Sequence, residues 1–229
     1  MTLAGDRQVF KIKAVIFDCD GTLVDSESLS ARLIGRILQQ HGHALDEATI
    51  LQHFRGRPYA RFLDDISQHF PQLDRELFSR QFREQSLPLL ASELDTMPGA
   101  HDLLAALQLP RCIASNGPRE KIETSLNSTG LKPYFGDAII SAYEVNAWKP
   151  DPALIHHALR LLGVAATDCL LVEDSASGIA AGLAAGVAVA GVHLHEDTAA
   201  RFAGQIAIFP GLPQLAAALG LPVGISSAR

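Results

Sequence analysis

The sequence is poor in cysteine, in positive charge and in long apolar runs, and each shortage argues against a class of protein. Its three cysteines are widely spaced and form no Cys-x-x-Cys pair, so no disulfide framework is expected. The formal net charge of −6 is the opposite of the basic surface that nucleic-acid binding requires. The longest apolar region, residues 179–194, is rich in Gly and Ala and too short to span a membrane.

The rest of the composition is that of an ordinary globular protein. Hydrophobic residues make up 48% and charged residues 19% of the 229 positions, which suffices for a sizeable core in one or two domains. The first thirteen residues lack the apolar stretch of a secretory signal peptide. We therefore expect a cytoplasmic protein that binds neither nucleic acid nor membrane and is a monomer or a weak dimer. Its cysteines, each in or beside an apolar run, are expected to be buried.

The apolar pattern changes twice along the chain. A buried strand is predicted over residues 14–18, and from residue 27 to about residue 94 only helical spacing occurs. Strands then alternate with helices: strands 111–115, 138–141, 169–172, 187–192 and a weak one at 206–209, and helices 100–108, 119–129, 152–162, 176–185 and 212–219. This alternation is typical of a parallel sheet covered on both faces. We predict an α/β protein with a Rossmann-like, doubly wound parallel sheet core (residues 1–25 and 95–229) and an inserted α-helical cap domain (residues 26–94).

Two carboxylates lie two positions apart at the end of the first strand. Residues i and i+2 of a strand lie on the same face, so Asp18 and Asp20 are expected to be close together. Two like charges at that distance are stable only if one is protonated or a cation lies between them. The pairing suits phosphoryl transfer, in which Asp18 attacks phosphorus, Mg²⁺ neutralises the phosphate oxygens and Asp20 carries the leaving-group proton.

An Asp-x-Asp-Gly run also occurs in ordinary turns and at the start of EF-hand calcium loops. The calcium loop needs a Glu at its twelfth position, whereas the twelfth residue counted from Asp18 is Leu29. A plain turn is disfavoured by the four apolar residues before Asp18 and by Thr22 and Leu23 after it. The catalytic interpretation is therefore preferred.

Further polar residues follow the other predicted strands. Ligands of such sheets collect at the carboxyl ends of the strands, and the candidates there are Ser115, Asn116, Lys149, Glu173 and Asp174. A hydroxyl and helix-start N–H groups can hold phosphate oxygens, a lysine can pair with phosphate, and carboxylates are the oxygen ligands that Mg²⁺ prefers. Each group alone could be a turn, a solvated lysine or a helix cap. Their joint occurrence at strand ends predicts one site.

With these motifs in place, the chain resembles the haloacid dehalogenase-like phosphatase superfamily, in its phosphoglycolate phosphatase and beta-phosphoglucomutase-like branch. The resemblance runs from about residue 13 to residue 219 and is greatest to bacterial sugar-phosphate phosphatases of the 6-phosphogluconate type, which share Ser115-Asn116-Gly117-Pro118 and the segment from Trp148 to Leu154.

This resemblance implies a role for each candidate residue. Asp18 would be the nucleophile and Asp20 the general acid and base, while Ser115, Asn116 and Lys149 would bind the phosphoryl group. Mg²⁺ would be held by the Asp18 side chain, the Asp20 backbone carbonyl and Asp174, with Glu173 either a further ligand or a residue behind the ligands. The implied activity is hydrolysis of a small phosphorylated metabolite through an aspartyl-phosphate.

Three other activities are considered. A dehalogenase of this superfamily needs neither a second Asp nor a metal, so Asp20 and the Glu173-Asp174 pair argue against it. A beta-phosphoglucomutase-like phosphomutase shares all four motifs and remains the alternative. Mutase relatives carry a cap His where this chain has Ser30, which favours hydrolysis. A module without catalytic activity is disfavoured by the intact carboxylates and lysine.

The predicted cap contains helix-start signals and one candidate substrate contact. Asp46 and Asp74 are predicted N-caps of cap helices. The segment Arg55-Gly56-Arg57 lies between two of these helices, where Gly allows a sharp turn. An Arg there can pair with a carboxylate or a second phosphate, which makes Arg57 a candidate substrate-binding residue. The alternative is a pair of solvated arginines at a helix end.

Overall fold

The computed structural model describes residues 2–5, 8–54 and 59–222, with side chains described for residues 12–52 and 62–222. A six-stranded parallel sheet forms the centre of the protein, in the spatial order β5-β4-β3-β6-β7-β8. These strands are β3 (Ala14–Phe17), β4 (Arg111–Ser115), β5 (Ile139–Ser141), β6 (Cys169–Glu173), β7 (Ala188–Val192) and β8 (Ala207–Phe209). A separate antiparallel hairpin, β1 (Thr2–Gly5) and β2 (Gln8–Lys11), precedes them.

Helices cover both faces of the sheet, which confirms the predicted fold class. They are α5 (Ala100–Ala106), α6 (Arg119–Ser128), α7 (Ala142–Val145), α8 (Ala153–Leu162), α9 (Ala176–Ala185), α10 (Glu196–Phe202) and α11 (Leu212–Ala218). Alternate residues of β3 enter two separate cores: Val15 and Phe17 pack with α5, α6 and α11, whereas Ala14 and Ile16 pack with α8, α9 and α10. Because both faces are buried, the strands are apolar almost throughout.

The register of the central strands sets the position of the site. Phe17 of β3 pairs with Ile113 of β4 on one side and with Val172 of β6 on the other. The next residue, Asp18, still donates its N–H to the carbonyl of Val172 at 3.0 Å. The carboxyl ends of β3, β4 and β6 therefore lie side by side, and the residues that follow them share one edge of the sheet.

Four further helices lie in the chain between β3 and α5. They are α1 (Ser26–Gln40), α2 (Glu47–Phe54), α3 (Tyr59–His69) and α4 (Arg75–Glu93). They share an apolar cluster of their own, which includes Ile34, Ile37, Phe62 and Phe78. The first turn of α1 and the end of α4 also contact the sheet core through Leu29 and Leu90. The division into a core (1–25 and 95–229) and a cap (26–94) stays our proposal.

The predicted helix caps are confirmed. Asp46 accepts hydrogen bonds from the N–H and the hydroxyl of Thr49. Helix α2 begins at Glu47, directly after Asp46. Asp74 accepts from the N–H groups of Glu76 and Leu77, both at 3.0 Å, at the start of α4. These bonds satisfy donors that the first helical turn leaves without a partner.

Some elements differ from the sequence prediction. The β1–β2 hairpin was not predicted, and neither were the four-residue helix α7 and the helix α10, whose seven residues lack an apolar stripe. Helix α4 continues through Pro88, although proline removes a helix hydrogen bond; buried Phe78 and Leu90 anchor the helix on both sides of it. The other strands and helices have the predicted order, with ends that differ by one or two residues.

Two predictions from composition can be compared with the structure. All three cysteines are reduced and buried, as expected. Within the described ranges, no helix combines the length and the apolar character that a membrane crossing requires.

The N-cap of α4 gives a test of local stability. We expect Asp74→Ala to lower the free energy of unfolding by about 1 kcal/mol, because two N–H groups of the first turn lose their acceptor. For a chain of this size that corresponds to a thermal midpoint lower by about 2–4 °C. The matched control is Asp74→Asn, whose side-chain oxygen can still cap the helix. Equal midpoints for the two variants would contradict the capping role.

Candidate active site

Lys149 is the centre of the site at the carboxyl edge of the sheet. Its ammonium lies 2.6 Å from Oδ1 of Asp18 and 2.6 Å from Oε1 of Glu173, and its side chain is only 2% exposed. Burial alone would lower the pKa of Lys149, but the two carboxylates outweigh burial and hold that pKa above its ordinary value. The lysine therefore stays charged and joins the ends of β3 and β6.

Asp18 and Asp174 are buried carboxylates with raised pKa values. Burial raises the pKa of Asp18 to about 7; Lys149 opposes this increase and Glu173 adds to it. Burial, together with the charges of Glu173 and Asp18, raises the pKa of Asp174 well above its ordinary value. Negative charges gathered in a buried place are costly unless a cation neutralises them. This cluster of hard oxygen donors fits a divalent cation such as Mg²⁺.

The tight turn after β3 holds Asp174 in place. Thr22 donates its hydroxyl to Oδ1 of Asp174 at 2.8 Å, and Gly21 has a backbone φ of 74°. A Cβ atom on Gly21 would lie 2.2 Å from Oδ2 of Asp174, closer than any real contact. Position 21 therefore needs glycine both for its backbone conformation and for the approach of Asp174.

Asp20 forms an ion pair that the sequence did not predict. Lys121 on α6 donates to Oδ2 of Asp20 at 2.7 Å. Burial would raise the pKa of Asp20, but Lys121, together with a hydrogen bond of Ser26 and the charge of Lys149, outweighs burial, so the pKa is lowered and the group is ionised. Its other oxygen, Oδ1, is buried without a hydrogen-bond partner among the described residues. The sequence does contain a signal for this contact. Lys121 lies in the first turn of the helix that follows β4, and that turn is close to the carboxyl edge of the sheet.

Glu173 supports Lys149 from the end of β6. Its Oε1 accepts from Lys149, and its Oε2 accepts from the N–H and the hydroxyl of Ser175 at 2.7 and 2.9 Å. A Cβ on Gly178 would lie 1.7 Å from Oε1, so only glycine leaves room for the carboxylate. The described residues contain no group of three or more His, Cys, Asp or Glu side chains arranged to hold a metal. Both carboxylate oxygens of Glu173 accept hydrogen bonds within the protein.

Ser115 and Asn116 lie at the end of β4. The Ser115 hydroxyl accepts the N–H of Gly117 at 3.1 Å and is almost fully buried. The Asn116 side chain forms two hydrogen bonds with the backbone of Lys149. The Nδ2 group carries a second N–H besides the one that bonds Lys149, and the predicted role of Asn116 as a phosphate ligand stays a prediction.

The sequence predicts a substrate contact for Arg57, and a second arginine, Arg119, begins α6. Arg57 falls outside the described residues, so its predicted contact with substrate stays a prediction. Arg119 binds the carboxylate of Glu144, and its Nη2 donates to the carbonyl of Ile139 at 2.7 Å. Arg119 thus ties the start of α6 to α7.

Comparison with known proteins identifies the family. A family profile described as haloacid dehalogenase-like hydrolase matches residues 12–186. The chain belongs to this family of hydrolases, and it is a phosphoric monoester hydrolase.

Among curated proteins, it is 38% identical to 6-phosphogluconate phosphatase of Escherichia coli K12 over 180 residues, which cover 78% of this chain and 81% of that protein. It is 30% identical to validoxylamine A 7'-phosphate phosphatase of Streptomyces hygroscopicus subsp. limoneus over 192 residues, which cover 82% and 89% of the two chains.

The fold has counterparts among solved structures. A haloacid dehalogenase family hydrolase from Deinococcus radiodurans R1, solved with bound phosphate and sodium, superposes with a TM-score of 0.79 at 29% identity, over 93% of this chain and 99% of that chain. A haloacid dehalogenase-like protein from Agrobacterium tumefaciens C58 gives the same TM-score of 0.79 at 30% identity, over 91% and 99% of the two chains.

The turn after β3 provides a test of how Asp174 is held. We expect Gly21→Ala to lower phosphatase activity at least tenfold, because its Cβ must displace the Asp174 carboxylate. The matched control is Gly42→Ala, since Gly42 has a φ of 77° and nothing within 4 Å of a new Cβ. Both variants should lose about 1–2 kcal/mol of stability from backbone strain. Equal activities in an assay with p-nitrophenyl phosphate would contradict the positioning of Asp174 by Gly21.

The Asp20–Lys121 pair predicts a dependence on the leaving group. In Lys121→Met the Asp20 carboxyl loses the ammonium that lowers its pKa, so this pKa should rise and the alkaline limb of the pH profile for an alkyl phosphate should move to higher pH. Hydrolysis of p-nitrophenyl phosphate should change little, because nitrophenolate departs without a proton. Rates for both substrates are compared with those of Lys13→Met, a surface control. An equal shift of the alkaline limb with both substrates would exclude this role.

Proposed function

We propose that this protein is a Mg²⁺-dependent phosphatase that hydrolyses small sugar phosphates or sugar-acid phosphates through an aspartyl-phosphate on Asp18. The observation that carries the proposal is the buried Lys149 ammonium, 2.6 Å from the Asp18 carboxylate at the edge where Ser115 and Asp174 also lie. A cation beside a nucleophilic carboxylate is the arrangement that an incoming phosphate dianion requires, because it offsets their mutual repulsion.

The relatives support the choice of substrate class. Besides 6-phosphogluconate phosphatase, the chain is 30% identical to hexitol phosphatase A of Escherichia coli K12 over 205 residues, which cover 82% of this chain and 86% of that protein. Both names refer to small phosphorylated carbohydrates or their derivatives. The partner of this chain is accordingly a small phosphorylated metabolite. The cytoplasmic location and the monomeric or weakly dimeric state stay predictions.

The reaction takes place in two displacements. Asp18 attacks phosphorus in line while Asp20 gives a proton to the leaving alcohol, and the aspartyl-phosphate forms. Asp20 then takes a proton from water as the water attacks phosphorus, which releases inorganic phosphate and regenerates Asp18. Since Lys121 lowers the pKa of Asp20, the acid step requires that this ion pair loosens when substrate binds. Ser115 and Lys149 hold the phosphoryl oxygens.

The oxygen donors at this edge of the sheet support Mg²⁺ as the metal of the site. The side chains of Asp18 and Asp174 and the backbone carbonyl of Asp20 would hold Mg²⁺, which when bound would neutralise charge on the phosphoryl oxygens. Thr22 and Gly21 fix Asp174 for this purpose. Glu173 holds Lys149 and is proposed as a residue behind the ligands. Arg57, on the cap, remains the proposed contact for the part of the substrate beyond the phosphate.

A phosphate-release screen tests the function directly. After dialysis against EDTA, release from sugar phosphates and 6-phosphogluconate should be negligible and should return when Mg²⁺ is added. Asp18→Asn should lower the rate at least about 1,000-fold, because the amide is not a nucleophile. Asp137→Asn, at a fully exposed carboxylate, is the control. Full activity of Asp18→Asn would overturn the nucleophile, and interconversion of glucose phosphates without phosphate release would instead identify a phosphomutase.

A further inference from the structure

Asn116 holds the loop that delivers Lys149. Its side-chain Nδ2 donates to the backbone carbonyl of Lys149 at 3.1 Å, and its Oδ1 accepts the backbone N–H of Lys149 at 2.8 Å. The amide thus forms the same pair of bonds that a neighbouring strand residue would form. Both the donor and the acceptor of one backbone position are fixed by one side chain.

Lys149 needs such a support because it does not lie in a strand or a helix. It lies in the segment between α7 (Ala142–Val145) and α8 (Ala153–Leu162), where the N–H of Asp151 donates to the carbonyl of Trp148 at 2.9 Å. Loop backbones lack the ladder of hydrogen bonds that fixes a strand. Asn116, in contrast, directly follows β4, a strand bonded on both sides in the sheet. It therefore transfers the position of the rigid sheet to the loop.

The position of this backbone decides where the ammonium lies. The Lys149 Nζ contacts Asp18 and Glu173 at 2.6 Å each, and the residue is buried. A displacement of about 1 Å at a catalytic group can reduce a rate by about 100-fold. Loss of the two hydrogen bonds of Asn116 would therefore let the Lys149 backbone shift, and a small shift of the ammonium would lower the reaction rate strongly.

We propose that Asn116 is a positioning residue for Lys149 and that it couples the phosphate-binding end of β4 to the lysine loop. The proposal rests on the phosphatase function proposed above. The hydroxyl of the neighbouring Ser115 remains at the end of β4, while the Asn116 side chain turns towards the loop.

Two variants test the proposal through the accessibility of Lys149 itself. In the full-length protein, amine acylation followed by mass spectrometry should label Lys149 very slowly, because the residue is 5% exposed. Asn116→Ala removes both hydrogen bonds, and Asn116→Asp keeps the acceptor but places a carboxylate against the Lys149 carbonyl. We expect Lys149 labelling to rise at least tenfold in both, with other lysines unchanged. The control is Asn127→Ala, an exposed asparagine on α6.

Kinetics supply the second measurement. Asn116→Ala should lower kcat/KM by about 10- to 100-fold. It should also raise the inhibition constant of inorganic phosphate above that of the wild-type protein in the same assay. In a Lys149→Met background the same change should have no further effect, since effects that act through one residue do not multiply. Unchanged labelling of Lys149, or an undiminished loss in the Lys149→Met background, would overturn the proposal.

Failure of the proposed function has a different signature. If the wild-type protein releases phosphate from no substrate while Asn116→Ala still exposes Lys149 to acylation, the phosphatase function is wrong and the hydrogen-bonded support of the loop stands. If the wild-type protein is active and Asn116→Ala exposes Lys149 without any kinetic loss, the positioning role is wrong and the function stands. Asn116→Asp serves in both measurements should Asn116→Ala fail to fold.

Discussion

The buried contact of Lys149 with Asp18 and Glu173 is the interaction on which the rest of the site depends. It joins a loop to the ends of two strands, β3 and β6, and it does so in a place almost closed to water. An ion pair of this kind is stable only when each charge has its partners, and removal of one partner typically costs about 3–5 kcal/mol. The protein can keep four carboxylates at one sheet edge because lysines are placed among them.

The backbone around the site leaves room for the buried carboxylates and supplies hydrogen-bond donors to them. Gly21 and Gly178 lie where any side chain would collide with Asp174 or Glu173. Thr22, Ser175 and Lys121 each supply a donor to one of the acidic groups. The carboxylates therefore have fixed directions before any ligand arrives, and a bound ion or phosphate meets oxygen atoms that need little rearrangement.

Most of the fold could be predicted from the sequence because the signals are local. Apolar runs followed by Asp18, Ser115 and Glu173 predict strands that end in polar groups, and Asp74 indicates a helix start that the structure confirms. The hairpin before β3 and the short helix α10 lack such signals, and the passage of α4 through Pro88 depends on tertiary packing that no local pattern reports.

The partners within the site were harder to predict. The contacts of Asn116 and Lys121 cross 33 and 101 positions of the chain. Spacing along a sequence carries no information on which oxygen a distant amide or ammonium meets. The position of Asn116 after Ser115 predicts a contact with phosphate, and the structure adds a contact of its side chain with the Lys149 backbone that the sequence does not predict. Such assignments require coordinates.

A crystal structure of the wild-type protein with Mg²⁺ and inorganic phosphate tests the central claim most directly. The account predicts phosphate within hydrogen-bond distance of Ser115 Oγ and Lys149 Nζ, with phosphorus facing the Asp18 carboxylate and the ion bound by Asp18 and Asp174. Phosphate bound elsewhere, with Lys149 still enclosed between Asp18 and Glu173 and no ion beside Asp174, would contradict it.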